Sequence, residues 1–288
     1  DELKAMQEGT DAEGGFFVPE DFRTQVIHNQ GVPGGVHRPY CTVLTTSLKD
    51  GYLPTMGSVA WAAIAEEAAY GDNTPTVGQV SFNIRKAGGT TKVSSELLED
   101  SAINLPALLS QIFGEAQGRY EDTQLIGGDG TGEAEGIRTS ATDGTVSASA
   151  TAVAIADFQT WYFNLPAQFR ANAIVSTTSS LMAQVAALDV TANKGSLTSA
   201  PATSLLGRTT ALFDGTGWDD ATAISAGEEI GCIGDFSNYY LIDRIGMSMR
   251  RDDSIYVAND QVGFFARSRY DGRVGLADAF RIFKIAAA

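Results

Sequence analysis

The sequence predicts an α+β fold, because one long amphipathic helix is combined with two strand-rich regions and a compact run of alternating helices and strands. The long helix is expected to follow residue 104, and the strand-rich regions span 42–92 and 230–285. The alternating run lies between 157 and 188. These regions together predict a mixed fold with a compact second domain beside the long helix.

The long helix has a start signal, an apolar face and a stop signal. Asn104 can accept a hydrogen bond from a free amide of the first turn, and Pro106 falls where a missing N–H costs nothing. We expect Gly127 and Gly128 to end the helix in left-handed geometry, after about 33 Å at ~1.5 Å per residue. Residues three and four apart form the predicted apolar face: Leu105, Leu108, Leu109, Ile112, Phe113, Ala116 and Tyr120. Polar residues are expected mostly off that face: Gln111, Glu115, Arg119 and Asp122.

A glycine-rich loop follows the helix, formed by Gly128, Asp129, Gly130, Thr131 and Gly132. A phosphate-binding loop would need a strand before it and a helix after it, whereas here the helix comes first. A calcium loop needs oxygen ligands at alternate positions and a closing bidentate Glu, which the acidic residues of this segment do not supply. The spacing therefore favours a structural turn.

Composition and charge exclude several classes of function. The chain is 43% hydrophobic and 19% charged, which indicates a globular protein. Its formal net charge of −15 argues against a surface that binds nucleic acid or anionic lipid. No apolar run approaches the ~20 residues of a membrane span, and no signal peptide is evident.

Residues suited to catalysis or metal binding are few. Cys41 and Cys232 have no metal-ligand spacing; two free thiols are favoured over a disulfide. The only histidines, His28 and His37, have no partnered nucleophile, which argues against Ser-His-Asp or Cys-His chemistry. Carboxylates are abundant, but nothing places two of them together. We therefore expect no enzyme, no cofactor and no metal.

An ordered set of segments resembles a known family. Leu125-Ile-Gly-Gly-Asp-Gly-Thr-Gly, followed by Glu135-Gly-Ile, resembles the end of the spine helix and the following loop of tailed-bacteriophage major capsid proteins of the Hong Kong 97 type. Four further segments resemble the same family in the same order, and they begin at Gly9, Val93, Gly234 and Ala277. No single motif is decisive, but the set covers nearly the whole chain.

The resemblance implies the Hong Kong 97-like fold and its division of the chain. Its parts would be an N-terminal arm (1–41), an E-loop hairpin (42–92), a P-domain with the spine helix (93–137), an A-domain (138–245) and C-terminal P-domain strands (246–288). The implied function is that of a shell subunit that forms pentamers and hexamers around double-stranded DNA. The implied partners are other copies, a portal at one vertex, a decoration protein, and DNA held without specific binding.

The resemblance also bears on location and processing. It places the protein in the virion, assembled in the host cytoplasm, with no membrane partner. The chain begins at Asp1 without methionine, and removal of a scaffolding segment by a protease is favoured over a cloning boundary. An encapsulin or a gene-transfer-agent shell of the same fold is one alternative. A calcium- or glycan-binding secreted enzyme domain is the alternative from a different class.

Several residues are candidates for contacts between subunits: Phe16, Phe17, Val18, Trp61, Tyr70, Arg250, Arg251, Arg267 and Arg269. The first three form an apolar plug in the arm, and Trp61 and Tyr70 lie near the E-loop tip, where buried aromatics often dominate interfaces. The arginines could pair with carboxylates of a neighbour or of their own chain. For the aromatic residues the alternative is packing within the same subunit, and for Arg267 and Arg269 it is a solvated face.

Two further expectations concern the E-loop and the last strands. Some family members form an isopeptide crosslink between a Lys of the E-loop and an Asn of a neighbour, promoted by a Glu. Here residues 65–76 contain no Lys and residues 261–270 no Glu, so we expect no crosslink. Asp271-Gly272 predicts a hairpin turn, and the last strand is expected to return beside the spine helix.

Overall fold

The computed structural model describes residues 34–287, apart from 60, 68, 70, 72–73, 102–103 and 193–203. The candidates Phe16, Phe17, Val18 and Tyr70, together with His28, therefore lie outside the described residues. The helices are α1 (Ser95–Asp100), α2 (Leu105–Gly127), α3 (Ile137–Ser140), α4 (Ile155–Asn164), α5 (Ala167–Arg170) and α6 (Ser179–Ala192). No described helix is long and apolar enough to cross a membrane.

The described strands are β1 (Thr42–Thr45), β2 (Asp50–Met56), β3 (Val77–Asn83), β4 (Arg85–Ser94), β5 (Thr142–Val146), β6 (Ile174–Thr177), β7 (Ser204–Leu205), β8 (Arg208–Leu212), β9 (Glu229–Gly234), β10 (Tyr239–Asp252), β11 (Gln261–Val274) and β12 (Phe280–Lys284). They form a four-stranded sheet in the order β1-β10-β11-β4 and a six-stranded sheet in the order β5-β12-β9-β6-β8-β7. The strands β2 and β3 pair only with each other. The prediction of a mixed α+β fold is confirmed.

The helix α2 begins and ends as the sequence predicts. The side chain of Asn104 accepts a hydrogen bond from the amide of Ala107 at 3.2 Å, and Pro106 lies in the first turn. The predicted left-handed ending is wrong, because Gly128 has φ −62° and ψ 148°. Gly128 is needed for space instead: a Cβ there would overlap the carbonyl oxygen of Ala134.

Burial along α2 differs from the predicted apolar stripe. The first half of the helix is half-buried, and Ala116 and Tyr120 are exposed. The fully buried positions lie in the last turns and include the carboxylates of Glu121 and Asp122. The expectation that Asp122 lies off the buried face is therefore wrong. Its carboxylate is buried because it accepts hydrogen bonds from the amides of Val36 and His37.

The four-stranded sheet is built on the long ribbon of β10 and β11, which pair antiparallel from Tyr239↔Val274 to Asp252↔Gly263. β4 extends the ribbon antiparallel and β1 extends it parallel. β10 bulges twice: its residues 243–248 face 267–270 of β11.

The predicted hairpin turn at Asp271-Gly272 is wrong, since both residues lie within β11 opposite Ile242 and Leu241. Asp271 is 1% exposed, and its carboxylate accepts hydrogen bonds from the amide of Asn83 at 2.8 Å and from Nε of Arg273 at 3.0 Å. The tertiary hydrogen bond from Asn83 and the pairing of β11 with β10 outweigh the local preference of an Asp-Gly pair for a turn.

The six-stranded sheet combines the alternating region with the C-terminus. β12 pairs parallel with β5 and antiparallel with β9, rather than beside the spine helix as expected. Its Phe280 and Ile282 still share a buried cluster with Leu125 and Ile126 from the end of α2. A second cluster lies between this sheet and helices α4 and α6, around Phe158, Trp161, Leu181, Val185 and Phe283.

Asp157 lies in the first turn of α4, and its carboxylate accepts hydrogen bonds from the amides of Ala154 and Ala148 at 2.9 and 3.2 Å. Cys41 and Cys232 are free thiols, as expected. Burial raises the pKa of both thiols well above its usual range.

Candidate assembly surfaces

A two-stranded hairpin extends from the body of the protein. β2 and β3 pair in register from Asp50↔Asn83 to Met56↔Val77, and the described residues between 57 and 76 lie at its tip. The base is anchored by Phe82 and Ile84, which are buried with Ile242 of β10. Gly51 is required there, because a Cβ would collide with the ring of Phe82. The base of the hairpin is therefore held by this small cluster and by the hydrogen bond from the amide of Asn83 to Asp271.

Beyond this base, large apolar side chains of the hairpin are exposed. Trp61 is 98% exposed, which makes its ring almost fully accessible to solvent. The other exposed apolar residues of the hairpin are Tyr52, Met56, Val59, Ile64 and Val77. The acidic residues Glu66 and Glu67 lie at the same tip and are exposed as well. Such a set of apolar residues on one projection is typical of a surface that another protein covers.

An open cleft runs between α2 and the four-stranded sheet; we call it the spine groove. It encloses 470 Å³, and its lining residues come from β4, α2, β10 and β11. The side chains that form its apolar surface are Phe113, Ala116, Tyr120 and Met247. A smaller cavity of 250 Å³ shares Gln117, Met247 and Ser268 with the spine groove and is also lined by Tyr270.

Two cationic residues of the sheet are among those that line the spine groove. Lys86 and Arg267 line it and are exposed, and Arg269 follows on the same strand as Arg267, opposite Lys86. Arg267 and Arg269 share one face of β11, since residues two apart in a strand point the same way. In the described part of the chain, no ion pair is formed by Lys86, Arg267 or Arg269, and Nε of Arg269 is buried without a hydrogen-bond partner.

The remaining arginine candidates have intramolecular partners. Arg250 pairs with Asp252 at 3.0 Å, and Arg251 pairs with Asp253 at 2.7 Å, each between side chains two positions apart near the end of β10. The side chains of Arg250 and Arg251 are 80% and 53% exposed. Both pairs are therefore largely solvated and contribute little to stability.

Residues 34–41 contact the body through a partly buried network of charges. The guanidinium of Arg38 donates to both carboxylate oxygens of Glu121, at 2.9 and 2.8 Å, and also to Asp243 of β10. Burial raises the pKa of Glu121 above its usual range, although Arg38 opposes this effect. This network ties the segment to α2 and to the four-stranded sheet at once.

His37 makes a second connection, for which the residues around it in the sequence carry no signal. Its Nδ1 lies 2.9 Å from Asp122, and its Nε2 lies 2.7 Å from the hydroxyl of Ser176 in β6. Asp122 also accepts hydrogen bonds from the amides of Val36 and His37, at 2.9 and 3.1 Å. The indole of Trp218 donates to Ser176 at 2.9 Å.

The contact order Asp122, His37, Ser176 matches that of a Ser-His-Asp triad, but its position does not suit catalysis. His37 and Ser176 are fully buried, and the ring of His37 stacks on Phe236 at 5.6 Å between centroids. A substrate carbonyl cannot reach a hydroxyl in this position. The arrangement instead satisfies buried polar groups that join α2, β6 and the N-terminal segment.

The glycine-rich loop after α2 forms a turn organised by one carboxylate. Oδ1 of Asp129 accepts hydrogen bonds from the amides of Thr131, Gly132 and Glu133, at 2.8, 2.9 and 3.0 Å. These bonds hold the pKa of Asp129 below its usual range. Gly130 has φ +70°, which favours glycine. The described residues contain no cluster of His, Cys, Asp or Glu suited to a metal ion.

The described residues form a mixed fold from which one hairpin with exposed apolar side chains projects. Residues 14–285 match the phage capsid family. The chain belongs to this family and is a major capsid protein of the Hong Kong 97 type, the subunit of an icosahedral virus shell. The resemblance seen in the sequence is thereby confirmed.

Solved structures share the fold at low sequence identity. The capsid of an empty GTA particle is 24% identical, with a TM-score of 0.82 over 98% of this chain and 100% of the other. The matching chain from Microbacterium phage Oxtober96 is 13% identical, with a TM-score of 0.73 over 97% and 99%. That from Mycobacterium phage Adephagia is 15% identical, with a TM-score of 0.70 over 97% and 98%. No curated protein matches the chain.

Proposed function

We propose that copies of this chain assemble into pentamers and hexamers, which close into an icosahedral shell around double-stranded DNA. The observation that supports this proposal is the hairpin of β2 and β3, whose large apolar side chains include a 98% exposed Trp61. A two-stranded hairpin is at best marginally stable alone in water. A second copy of the chain supplies the surface that covers it.

The arrangement of the chain suits a shell held by many small contacts. The hairpin extends from one part of the body, and the buried connections of His37 and Arg38 fix where the N-terminal segment leaves another part. Each subunit therefore presents at least two attachment points. Contacts that are weak singly add up when a closed assembly engages them together.

The net charge of −15 suits a shell that surrounds DNA without binding it tightly. Non-covalent contacts, or an added decoration protein, hold the shell, since the hairpin tip lacks the Lys that an isopeptide bond would need. A portal occupies one vertex. Assembly takes place in the host cytoplasm, and the mature protein resides in the virion.

The mass of the native particle tests this function. Light scattering and negative-stain imaging of the purified chain should show rings of five or six subunits or megadalton icosahedral particles. A monomer of 30.4 kDa that persists at high concentration, across salt and pH, would contradict the proposal.

A gene-transfer-agent shell is the second candidate, favoured by the TM-score of 0.82 to a GTA capsid. The DNA inside nuclease-treated particles distinguishes the two. If every particle contains the same viral genome, the shell belongs to a phage. If the particles contain different fragments of a cellular genome, it belongs to a gene-transfer agent.

A further inference from the structure

We propose that protonation of Glu121 releases the guanidinium of Arg38, so that acidification uncouples helix α2 from the bulged part of β10 in a chain that stays folded. The inference concerns the single subunit and does not depend on how copies assemble. Three features of the described residues carry it: the two-sided contact of Arg38, the crowding of carboxylates around it, and a cavity that reaches Glu121.

Arg38 spans two elements of the body. Its guanidinium donates to both carboxylate oxygens of Glu121, at 2.9 and 2.8 Å, and also to Asp243. Glu121 lies in the last turns of α2, and the register of β10 against β11 first shifts directly after Asp243. A bidentate contact between Arg and a carboxylate is strong and geometrically specific. One side chain therefore fixes the helix against the start of the bulge.

The carboxylate of Glu121 lies among other acids. Asp122 follows it on α2, and Asp243 approaches the same guanidinium from β10. Glu121 is only 3% exposed. Burial first, and then the two neighbouring carboxylates, raise the pKa of Glu121 above the ordinary value of 4.5, although Arg38 opposes them. Among these acids, Glu121 therefore has a physical reason to take up a proton as the pH falls.

A cavity gives that proton access to a buried side chain. The smaller cavity of 250 Å³ is lined by Arg38, Glu121, Asp243 and the phenol of Tyr270. Its volume and its several polar groups suit water, which needs room and two to four hydrogen-bond partners. Protons can therefore reach Glu121 without any part of the chain unfolding.

Protonation changes the strength of one contact and spares the other. A proton from water forms an O–H bond with one oxygen of Glu121, and the site gains one positive charge. The neutral acid can still accept a hydrogen bond, but it loses the charge that strengthened both bonds to Arg38. The side chain of Arg38 is 37% exposed, so it can remain on Asp243 or turn to water. Its contact with α2 weakens, and its contact with β10 persists.

The fold is not lost in the same step. Because the pKa of Glu121 is raised in the folded chain, the folded chain binds this proton more readily than the unfolded chain does. The stability gained at this residue is fully present below pH 4.5 and is lost as the pH rises through the raised pKa. Acidification through this range therefore opens the contact without favouring unfolding at Glu121.

Three other titratable groups lie near this site. Burial raises the pKa of the Cys41 thiol and of the Tyr270 phenol, so both are uncharged at neutral pH and below. His37 is the competing explanation, since its Nδ1 lies 2.9 Å from Asp122 and imidazoles commonly ionise near neutral pH. A charged imidazole would hold Asp122 more strongly. The two residues therefore predict opposite responses of residues 34–41 to acid.

Hydrogen exchange of the full chain measures the release. The amides of Val36 and His37 donate to Asp122 at 2.9 and 3.1 Å, so their exchange reports the attachment of residues 34–41. Rates at neutral pH and at pH 4.5 are each corrected by the rates of the same peptides in the urea-unfolded chain. We expect the protection of residues 34–41 and 243–248 to fall about tenfold in acid, as loss of a charged hydrogen-bond partner implies.

Two variants assign the response to the contact. Glu121→Gln keeps the shape of the side chain and removes its ionisation, so at neutral pH it should show the protection that the unmodified chain shows in acid. Arg38→Gln tests the other side of the contact and should abolish the same response to acid. The matched control is Glu229→Gln, which removes the carboxylate that pairs with Arg138 and Lys284. It should leave the protection of residues 34–41 and its response to acid within about twofold.

Several outcomes would overturn the inference. One is unchanged protection of residues 34–41 in acid, and another is an acid response that survives Glu121→Gln or Arg38→Gln. A gain of protection in acid would assign the response to His37 instead. Loss of protection in the buried strands β9 and β12 at the same pH would show general unfolding rather than a local release.

Discussion

At the scale of single residues, Asp122 connects separate parts of the chain, because two backbone amides and the imidazole of His37 all bind its carboxylate. A carboxylate at the C-terminal end of a helix is opposed by the helix dipole, so it persists there only with strong partners. The amides of residues 36 and 37 are those partners. Asp122 therefore links helix α2 to residues 36 and 37.

Asp122→Ala should lower the free energy of unfolding by about 3 kcal/mol or more, since buried donors left without an acceptor cost about 1–3 kcal/mol each. Urea unfolding of the unassembled subunit measures the change. Asp253→Ala is the control: that carboxylate is 61% exposed in a pair with Arg251, and its loss should cost at most about 1 kcal/mol. Equal effects at the two positions would show that Asp122 has no special role.

The contacts of His37 with Asp122 and Ser176 could not be predicted from the sequence, for a physical reason. His37 lies 85 positions from Asp122 and 139 from Ser176, so no spacing rule connects them. The fold alone brings them together. A signal was nonetheless present in the adjacent acids Glu121 and Asp122, near the end of a helix that has no basic residue in its last turn. Acids in that position need cations or amides from elsewhere.

At the scale of elements, the junction of α2 and the glycine-rich loop contrasts two neighbouring glycines. A Cβ at Gly128 would overlap the carbonyl of Ala134 and lie 2.7 Å from that of Gln124, whereas nothing lies within 4 Å of a Cβ at Gly127. Close packing therefore requires a glycine at position 128 but not at position 127.

Gly128→Ala should therefore destabilise the subunit by about 1–3 kcal/mol, as overpacking against fixed backbone does. Gly127→Ala should instead stabilise it by up to about 1 kcal/mol, because alanine loses less conformational entropy in a helix. Thermal unfolding of the two variants side by side tests both signs. A loss of stability in Gly127→Ala as large as that in Gly128→Ala would refute this account.

The same loop should make stability depend on pH through Asp129. Three backbone amides favour its ionised form and lower its pKa beneath the ordinary value of 3.8. Its contribution is therefore fully present above pH 3.8 and is lost as the pH falls through the lowered pKa. Asp129→Asn should show a shallower loss of stability below pH 3.8 than the unmodified chain, measured by unfolding at stepped pH.

Local signals predicted these elements where local energetics decide them. The bounds of α2 followed from Asn104, Pro106 and a pair of glycines, because capping involves residues only a few positions apart. The prediction of a turn at Asp271-Gly272 was wrong, since Asp271 binds Asn83, which is 188 positions away, as well as the neighbouring Arg273. Buried tertiary hydrogen bonds there outweigh turn propensity.

At the scale of the whole molecule, the projecting hairpin was predictable and the groove was not. Alternating residues and a polar tip predict a hairpin, and the role of Trp61 as an anchor stays a prediction. The spine groove combines β4, α2, β10 and β11, and its lining residues span more than 150 positions, from Lys86 to Ser268. Its shape depends on how the helix lies on the sheet, which no periodicity encodes.

The assembled shell should separate completely into single chains on denaturation. No Lys lies at residues 65–76 and no Glu at 261–270, so the isopeptide chemistry known in the family has neither group in these segments. Boiling purified particles in SDS should give one band of 30.4 kDa on a gel. A ladder of higher bands that resists reducing agent would contradict this expectation.

The two bulges of β10 have a consequence for geometry. Between 243 and 248 this strand has two more residues than its partner, so parts of its backbone lack ladder hydrogen bonds and the ribbon bends there. A polyhedral surface built from one kind of chain needs subunits at its corners and on its flat facets, with different angles between neighbours. If the ribbon of β10 and β11 bends by different amounts at residues 243–248, one kind of chain can meet its neighbours at these different angles.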